Sequence, residues 1–232
     1  MQKALTDHYL SQIVILADGE FPTHRIPLSI LRTAEYIICC DGSAGKLIDA
    51  GFKPDAIVGD MDSLDENLQA EYAAIIYKDS EQEHNDLTKA VLFAIKQNPA
   101  SISIVGATGL REDHTIGNIA LLSHYKSLVN TYLNSTPAAS TLYSADIPIV
   151  LYTDTGKFFP ITKSCVVNTP VGSNVSIFSL DTDIRIISKG LRYPLDKVVF
   201  DSWWKATLNQ TIADPFELIF DSGRVILYIA HS

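Results

Sequence analysis

Pro54-Asp55-Ala56-Ile57-Val58-Gly59-Asp60-Met61-Asp62-Ser63 is the stretch on which the reading of the fold turns. An apolar run with strand character, 56–58, ends at a glycine and is followed at once by two aspartates one residue apart. In open α/β sheets, ligands bind beyond the carboxyl ends of the strands, which is where Asp60 and Asp62 would lie. With an extended backbone both carboxylates would point to one side. Two such groups repel each other, and a divalent cation removes the repulsion. The plainer alternative is a capped loop, with Asp62 and Ser63 opening a helix at Leu64.

The same texture extends outward on both sides. Apolar runs at 13–17, 36–40, 74–77 and 102–105 read as further strands. Between them, 28–32 reads as a short helix and 43–50 as another, with Ser43 as its cap and Gly51 as its stop. Residues 86–97 carry Leu87, Ala90, Val91, Ala94 and Ile95 on one helical face, and Asn98-Pro99 ends the pattern. A last helix is expected at 113–125. Strand–helix alternation of this kind implies a mostly parallel sheet with helices on its faces.

After about Lys126 the texture changes. Residues 134–140 are rich in Ser, Thr, Pro and Ala and read as a connector. Short apolar runs follow at 148–152, 164–168, 175–179, 185–188, 217–220 and 225–230, and Asp221-Ser222-Gly223 reads as a hairpin turn between the last two. The expected organisation is an α/β domain over 1–133, a linker over 134–146, and an all-β, sandwich-like domain over 147–232.

Composition narrows the function classes. The chain has 232 residues, 47% of them hydrophobic and 19% charged, which argues for a packed core and against disorder. No apolar run is long enough to span a bilayer, and the first residues lack the pattern of a secretory signal, so a cytoplasmic protein with no membrane partner is expected. The three cysteines, Cys39, Cys40 and Cys165, have neither disulfide-framework nor zinc-ligand spacing. A net charge of −9 with no basic patch argues against nucleic acid. It does not argue against a nucleotide, which an acidic site can hold through a divalent cation.

Three more segments carry chemistry. Cys40-Asp41-Gly42-Ser43 puts an aspartate directly after a strand. Gln82-Glu83-His84-Asn85-Asp86-Leu87-Thr88-Lys89 puts Asp86 at a helix start, either as an N-cap or as a metal or substrate ligand, with Lys89 one turn on and able to reach phosphate. Val105-Gly106-Ala107-Thr108-Gly109-Leu110-Arg111-Glu112-Asp113-His114 runs from strand through a two-glycine loop into a helix. Such loops let backbone N–H groups approach an anion, and Arg111 can fork onto phosphate oxygens. The Gly-Lys-Ser/Thr ending of a Walker A loop is missing.

Taken together and in this order, these segments resemble thiamine pyrophosphokinases. The resemblance rests on Asp41-Gly42, on Pro54-Asp55 leading to Gly59-Asp60-Met61-Asp62-Ser63, on Asn85-Asp86 with Lys89, and on Gly106-Ala107-Thr108-Gly109-x-Arg111-x-Asp113-His114 with Asn118. It implies transfer of diphosphate from ATP to the hydroxyl of thiamine. It also implies a homodimer whose active sites form where one subunit's α/β domain meets its partner's β-domain. By matched position, Asp41, Asp60, Asp62 and Asp86 would hold Mg²⁺. Asp62, Asp86, Arg111 and Asp113 would serve the transfer, and Gln82, Lys89, Gly106, Thr108 and Gly109 would line the nucleotide.

The second half resembles the family less. Lys189-Gly190-Leu191-Arg192-Tyr193-Pro194-Leu195 looks like the family's Gly-Leu-Lys-Tyr-Pro-Leu segment. The Ser-Asn pair that follows it in the family is matched by Leu208-Asn209, so Thr207 would supply the hydroxyl and Asn209 the amide. Trp203 and Trp204 read either as a buried strand or dimer contact, or as rings for a flat cationic ligand. Two rival functions share these residues. One is a haloacid-dehalogenase-like phosphatase, whose Asp-x-Asp, however, usually follows the first strand and is joined by a later lysine and acidic pair. The other is a non-catalytic thiamine- or nucleotide-binding protein, for which the altered Leu208 region speaks.

Overall fold

The computed structural model describes residues 12–135 and 146–231. The chain divides into two compact units. One holds the chain up to Asn118 together with Tyr125–Thr153; the other holds Ile119–His124 and the chain from Asp154 on.

Among the described residues six strands build the first unit: β1 (Ile13–Leu16), β2 (Tyr36–Cys40), β3 (Ala56–Gly59), β4 (Ile76–Lys78), β5 (Ile102–Val105) and β6 (Ile149–Tyr152). They lie in the order β6-β5-β1-β2-β3-β4, and every pairing among them is parallel. β1, β3 and β5 are buried at every residue. Their unbroken apolar sequences reflect burial on both faces. The helices are α1 (Arg25–Thr33), α2 (Ser43–Asp49), α3 (Glu66–Glu71), α4 (Asp86–Lys96) and α5 (Glu112–Ser135). This is the mostly parallel α/β arrangement the alternation predicts. No helix among the described residues is long and apolar enough to cross a membrane.

Several local expectations are corrected. α5 runs ten residues past the expected end at 125, because Tyr125, Val129 and Leu133 continue a buried stripe at a spacing of four. The 148–152 run, read with the β-rich half, is β6 and pairs in parallel with β5 from Ile102↔Ile149 to Val105↔Tyr152. Most of the connector expected at 134–146 lies outside the described residues. Ser43 does not cap α2; its hydroxyl donates to the Leu16 carbonyl at 2.8 Å and ties the helix start to β1. The helix expected at Leu64 begins at Glu66, and Asp65 caps it by accepting from the N–H groups of Asn67 and Leu68.

The second unit has β7 (Gly156–Ile161), β8 (Cys165–Val167), β9 (Asn174–Ser179), β10 (Ile187–Lys189), β11 (Ala206–Gln210), β12 (Phe216–Ile219) and β13 (Val225–Ala230). β11-β9-β13-β7 form one antiparallel row and β10-β12-β8 a second sheet. Val175, Ile177, Val225 and Leu227 from the first meet Phe216 and Leu218 from the second in one core. This is the β-rich second half that was expected. The Asp221-Ser222-Gly223 turn is not a hairpin, however, since β12 and β13 belong to different sheets. It carries the chain across the core, and Arg224 fixes the crossing by a two-pronged bond to Asp181.

Candidate metal and phosphate site

The loops after β2 and β3 and the first turn of α4 bring three acidic side chains together. One carboxylate oxygen from each of Asp41, Asp60 and Asp86 lies within 4.8 Å of the others. Asp41 sits in the left-handed region at φ 38°, costly for a side chain other than glycine's, and is only 2% exposed. Its Oδ2 accepts from the Ser63 N–H at 3.2 Å, while its buried Oδ1 has no partner among the described residues. Asp60 Oδ1 accepts from the Asp62 N–H at 3.3 Å. Asp86 is the first residue of α4, and the cap is Asn85, whose Oδ1 accepts from the Thr88 N–H at 2.9 Å. Capping by Asn85 frees Asp86 for the cluster. Gly59 makes the approach possible, since a Cβ there would stand 2.9 Å from Asp41 Cβ and 3.2 Å from Asp86 Oδ1.

Burial raises two of these groups and a backbone hydrogen bond lowers the third. Burial pushes the Asp41 carboxyl up to about 6, against the Ser63 N–H and with added repulsion from Asp86, Asp62 and Asp60. Burial likewise raises Asp86, opposed by Lys89. Asp60 is held below the usual carboxylate range, first by the Asp62 N–H. An orphaned buried oxygen within a trio of hard oxygen donors fits a divalent cation of the Mg²⁺ type.

Asp62 stands outside that trio. Met61 adopts φ 69°, which ends the extended backbone and with it the same-side geometry expected of Asp60 and Asp62. Asp62 is exposed and accepts from the Ser63 hydroxyl at 3.0 Å. Gln82, also exposed, donates to the Ser80 carbonyl at 3.3 Å and helps hold the Asp60 carboxyl low. Lys89 is 4% exposed, and its ammonium donates to the Asp79 carbonyl at 3.0 Å and to Asp86 Oδ1 at 3.4 Å.

A cavity of about 380 Å³ is lined by Asp86, Thr108 and Arg111 among others. Gly106 and Gly109 take φ 66° and 95°, which the turn requires. Arg111 makes a two-pronged ion pair with Asp113 at 2.6 and 3.1 Å, and Arg111 holds that carboxyl down to about 2. Both residues are exposed. The sequence reading missed Asp18 and Gly19, which also line the cavity. The Gly19 N–H donates to the Gly106 carbonyl at 2.7 Å, and a Cβ on Gly19 would lie 2.4 Å from that oxygen. The signal was present: Asp18-Gly19 follows β1 as Asp41-Gly42 follows β2. Asn118 joins the two rims, donating to the Ala107 carbonyl at 2.9 Å and accepting from Asn85.

In the second unit, Trp203 and Trp204 form a short 3-10 turn, 41% and 68% exposed, which overturns the buried-strand reading. Trp203 meets Phe178 edge-on at 6.2 Å, and the Lys205 ammonium sits 5.2 Å above the Trp204 ring. The Thr207 hydroxyl donates to the Trp204 carbonyl at 2.7 Å. Asn209 is 2% exposed and gives its amide to the backbone: Nδ2 donates to the Tyr193 carbonyl, and Oδ1 accepts from the N–H groups of Tyr193 and Gln210.

Comparison with known proteins covers both units. The family model for the thiamin pyrophosphokinase catalytic domain matches residues 28–133, and that for the thiamin pyrophosphokinase substrate-binding domain matches residues 156–228. Thiamine pyrophosphokinase of Bacillus subtilis (strain 168) is 34% identical over 119 residues, 49% of this chain and 55% of that protein. Thiamine pyrophosphokinase 1 of Oryza sativa subsp. japonica is 31% identical over 120 residues, 41% of this chain and 46% of that protein. The chain thus spans about half the length of the curated relatives it matches. The crystal structure of the Bacillus subtilis thiamine pyrophosphokinase superposes with a TM-score of 0.73 at 24% identity, covering 95% of this chain and 99% of that one, which shows a shared fold. With one model on each unit, this chain belongs to the thiamin pyrophosphokinase family.

Proposed function

We propose that this chain is a Mg²⁺-dependent thiamine pyrophosphokinase, which transfers diphosphate from ATP to the thiamine hydroxyl. The observation that carries the reading is the Asp41–Asp60–Asp86 trio, with its orphaned Asp41 oxygen, beside a cavity on a chain of this family. In the reaction, the thiamine hydroxyl oxygen bonds to the β-phosphorus. The bond from that phosphorus to the oxygen shared with the α-phosphate breaks, AMP leaves with that oxygen, and the hydroxyl proton passes to water. Such transfers need alignment and charge neutralisation more than covalent help from the protein.

The roles follow from the surroundings of each group. Asp41, Asp60 and Asp86 would hold the metal, with Asp62 beside the trio. A divalent cation held by these carboxylates would supply the positive charge that neutralises the phosphate oxygens during transfer. Lys89, buried against Asp86, limits the negative charge of the trio. Arg111 exchanges Asp113 for a phosphate oxygen at little cost, because an exposed ion pair contributes little. Gln82, Gly106, Thr108 and Gly109 line the nucleotide. Trp203, Trp204 and Thr207 serve the thiamine, for whose flat cationic rings an exposed indole is a suitable surface. The reading includes a cytoplasmic homodimer, which sedimentation tests. Purified chain incubated with ATP, Mg²⁺ and thiamine is expected to yield AMP and thiamine diphosphate in equal amounts. Thiamine-independent phosphate release would favour the phosphatase, and binding without AMP the non-catalytic protein.

A further inference from the structure

The loop between β3 and α3 must do two things that oppose each other. It has to present Asp60 to the trio, and it has to hold Met61 in the left-handed region at φ 69°. Unlike glycine, a methionine there relaxes toward ordinary φ values unless its surroundings prevent it. The Met61 side chain is anchored, 6% exposed, in the core with Leu64 and Leu68. That fixes the residue in place and leaves the peptide groups on either side of it free to turn.

Gln69 removes that freedom. It lies on α3, a helix with no buried residue, yet its side-chain amide points back under the loop. Nε2 has two hydrogens and both are used: one goes to the Met61 carbonyl at 2.9 Å, the other to the Leu64 carbonyl at 2.8 Å. One planar group therefore fixes the carbonyl that follows the left-handed residue and the end of the loop three residues later. Between those two anchors, the Asp62 N–H reaches Asp60 and the Ser63 N–H reaches Asp41. Asp65 caps α3 and so fixes the helix from which Gln69 reaches.

We infer that Gln69 is a positioning residue for the metal site: through its two bonds to the loop it sets the backbone that aims Asp60 and orders the N–H donors to Asp60 and Asp41. It touches no metal ligand itself. The inference rests on the proposed metal reading of the trio. Groups that orient ligands without binding the metal commonly change affinity about 10- to 100-fold.

The test is titration of the full chain with Mn²⁺ alone, as a paramagnetic probe read by electron spin resonance, alongside metal-free thermal unfolding. Gln69→Leu, which keeps the bulk and loses both donors, is expected to weaken Mn²⁺ about 10-fold. Gln69→Glu has the same shape and turns a carboxylate toward two carbonyl oxygens, so it should weaken Mn²⁺ at least as much. Half-activation by Mg²⁺ should shift in parallel while turnover at saturating Mg²⁺ stays close to that of the parent chain. Parent-like Mn²⁺ affinity in Gln69→Leu, whether or not unfolding shifts, would overturn the inference alone. Absence of Mn²⁺ binding by the parent chain would overturn the metal reading and this inference with it.

Discussion

Around the acidic trio, polar atoms are left over. Among the described residues Asp41 Oδ1 is buried without a partner, burial and crowded charges raise Asp41 and Asp86, and Lys89 offsets part of the charge. Around Asn209 in the second unit, polar atoms are spent. Its amide makes three bonds to the backbone, the Thr207 hydroxyl is tied to Trp204, and what is left exposed is aromatic surface. The first arrangement leaves negative charge uncompensated; the polar atoms of the second are satisfied within the fold. Unused bonding capacity held in place by the fold is the signature of a site. At Asn209 that capacity is taken up by the backbone.

The sharpest way to break this comparison is to remove a carboxylate of the trio and one beside it. Asp86→Asn should lower turnover by about 10³-fold, the scale of losing a charge ligand to a phosphate-bridging ion. Asp62→Asn should cost less, on the order of tenfold to a hundredfold, because Asp62 borders the trio without belonging to it. Steady-state kinetics at saturating Mg²⁺ separate the two. Equal losses would return Asp62 to the ligand set and make the left-handed Met61 a feature that metal binding reverses.

The next effect falls on stability. Asn209→Ala takes its side-chain bonds from the Tyr193 N–H and carbonyl and from the Gln210 N–H in a part-buried setting and should destabilise the chain by about 1–3 kcal/mol in denaturant unfolding. Trp204→Ala, at an exposed turn, should change stability by no more than about 0.5 kcal/mol while raising the KM for thiamine. If Asn209→Ala unfolded normally and lost thiamine affinity instead, the contrast between spent and unspent groups would fail.

What the sequence disclosed follows the same division. The parallel strands were legible because burial on both faces leaves uninterrupted apolar runs such as Ile13-Val14-Ile15-Leu16. Asp41, Asp60 and Asp86 were legible because each stands directly after a strand or at a helix start. The same-side placement of Asp62 was not, because it depends on one backbone angle at Met61 that side-chain alternation does not encode. β7 was hidden by Pro160, which sits opposite Ile226 in the antiparallel pair. β11 was hidden because its ladder shifts register around Leu208, at φ 57° and 86% exposed. The 221–223 turn was misread because local sequence does not say which sheet the next strand will join.

The smallest predicted effect tests the comparison most directly, since it begins with a pH scan of the parent chain. The folded Asp41 carboxyl titrates at about 6, above the ordinary 3.8 it would regain on unfolding. Between those values the folded chain holds a proton that the unfolded chain releases. In this group's contribution, stability is therefore full below about pH 4 and is lost as pH rises through about 6. Asp86, raised in the same direction, adds to the trend. A cation that fills the trio displaces these protons, so its binding strengthens over the same interval. Thermal unfolding with chelator should show stability from this source declining across that range, and Mg²⁺ should raise the unfolding temperature more at pH 7 than at pH 5. Substituting Asp41→Asn, which cannot ionise, should flatten the decline in chelator and remove most of the Mg²⁺ response. If the decline in chelator survived that substitution, the buried oxygen of Asp41 would not be its source, and the trio would hold no more unspent charge than the segment around Asn209.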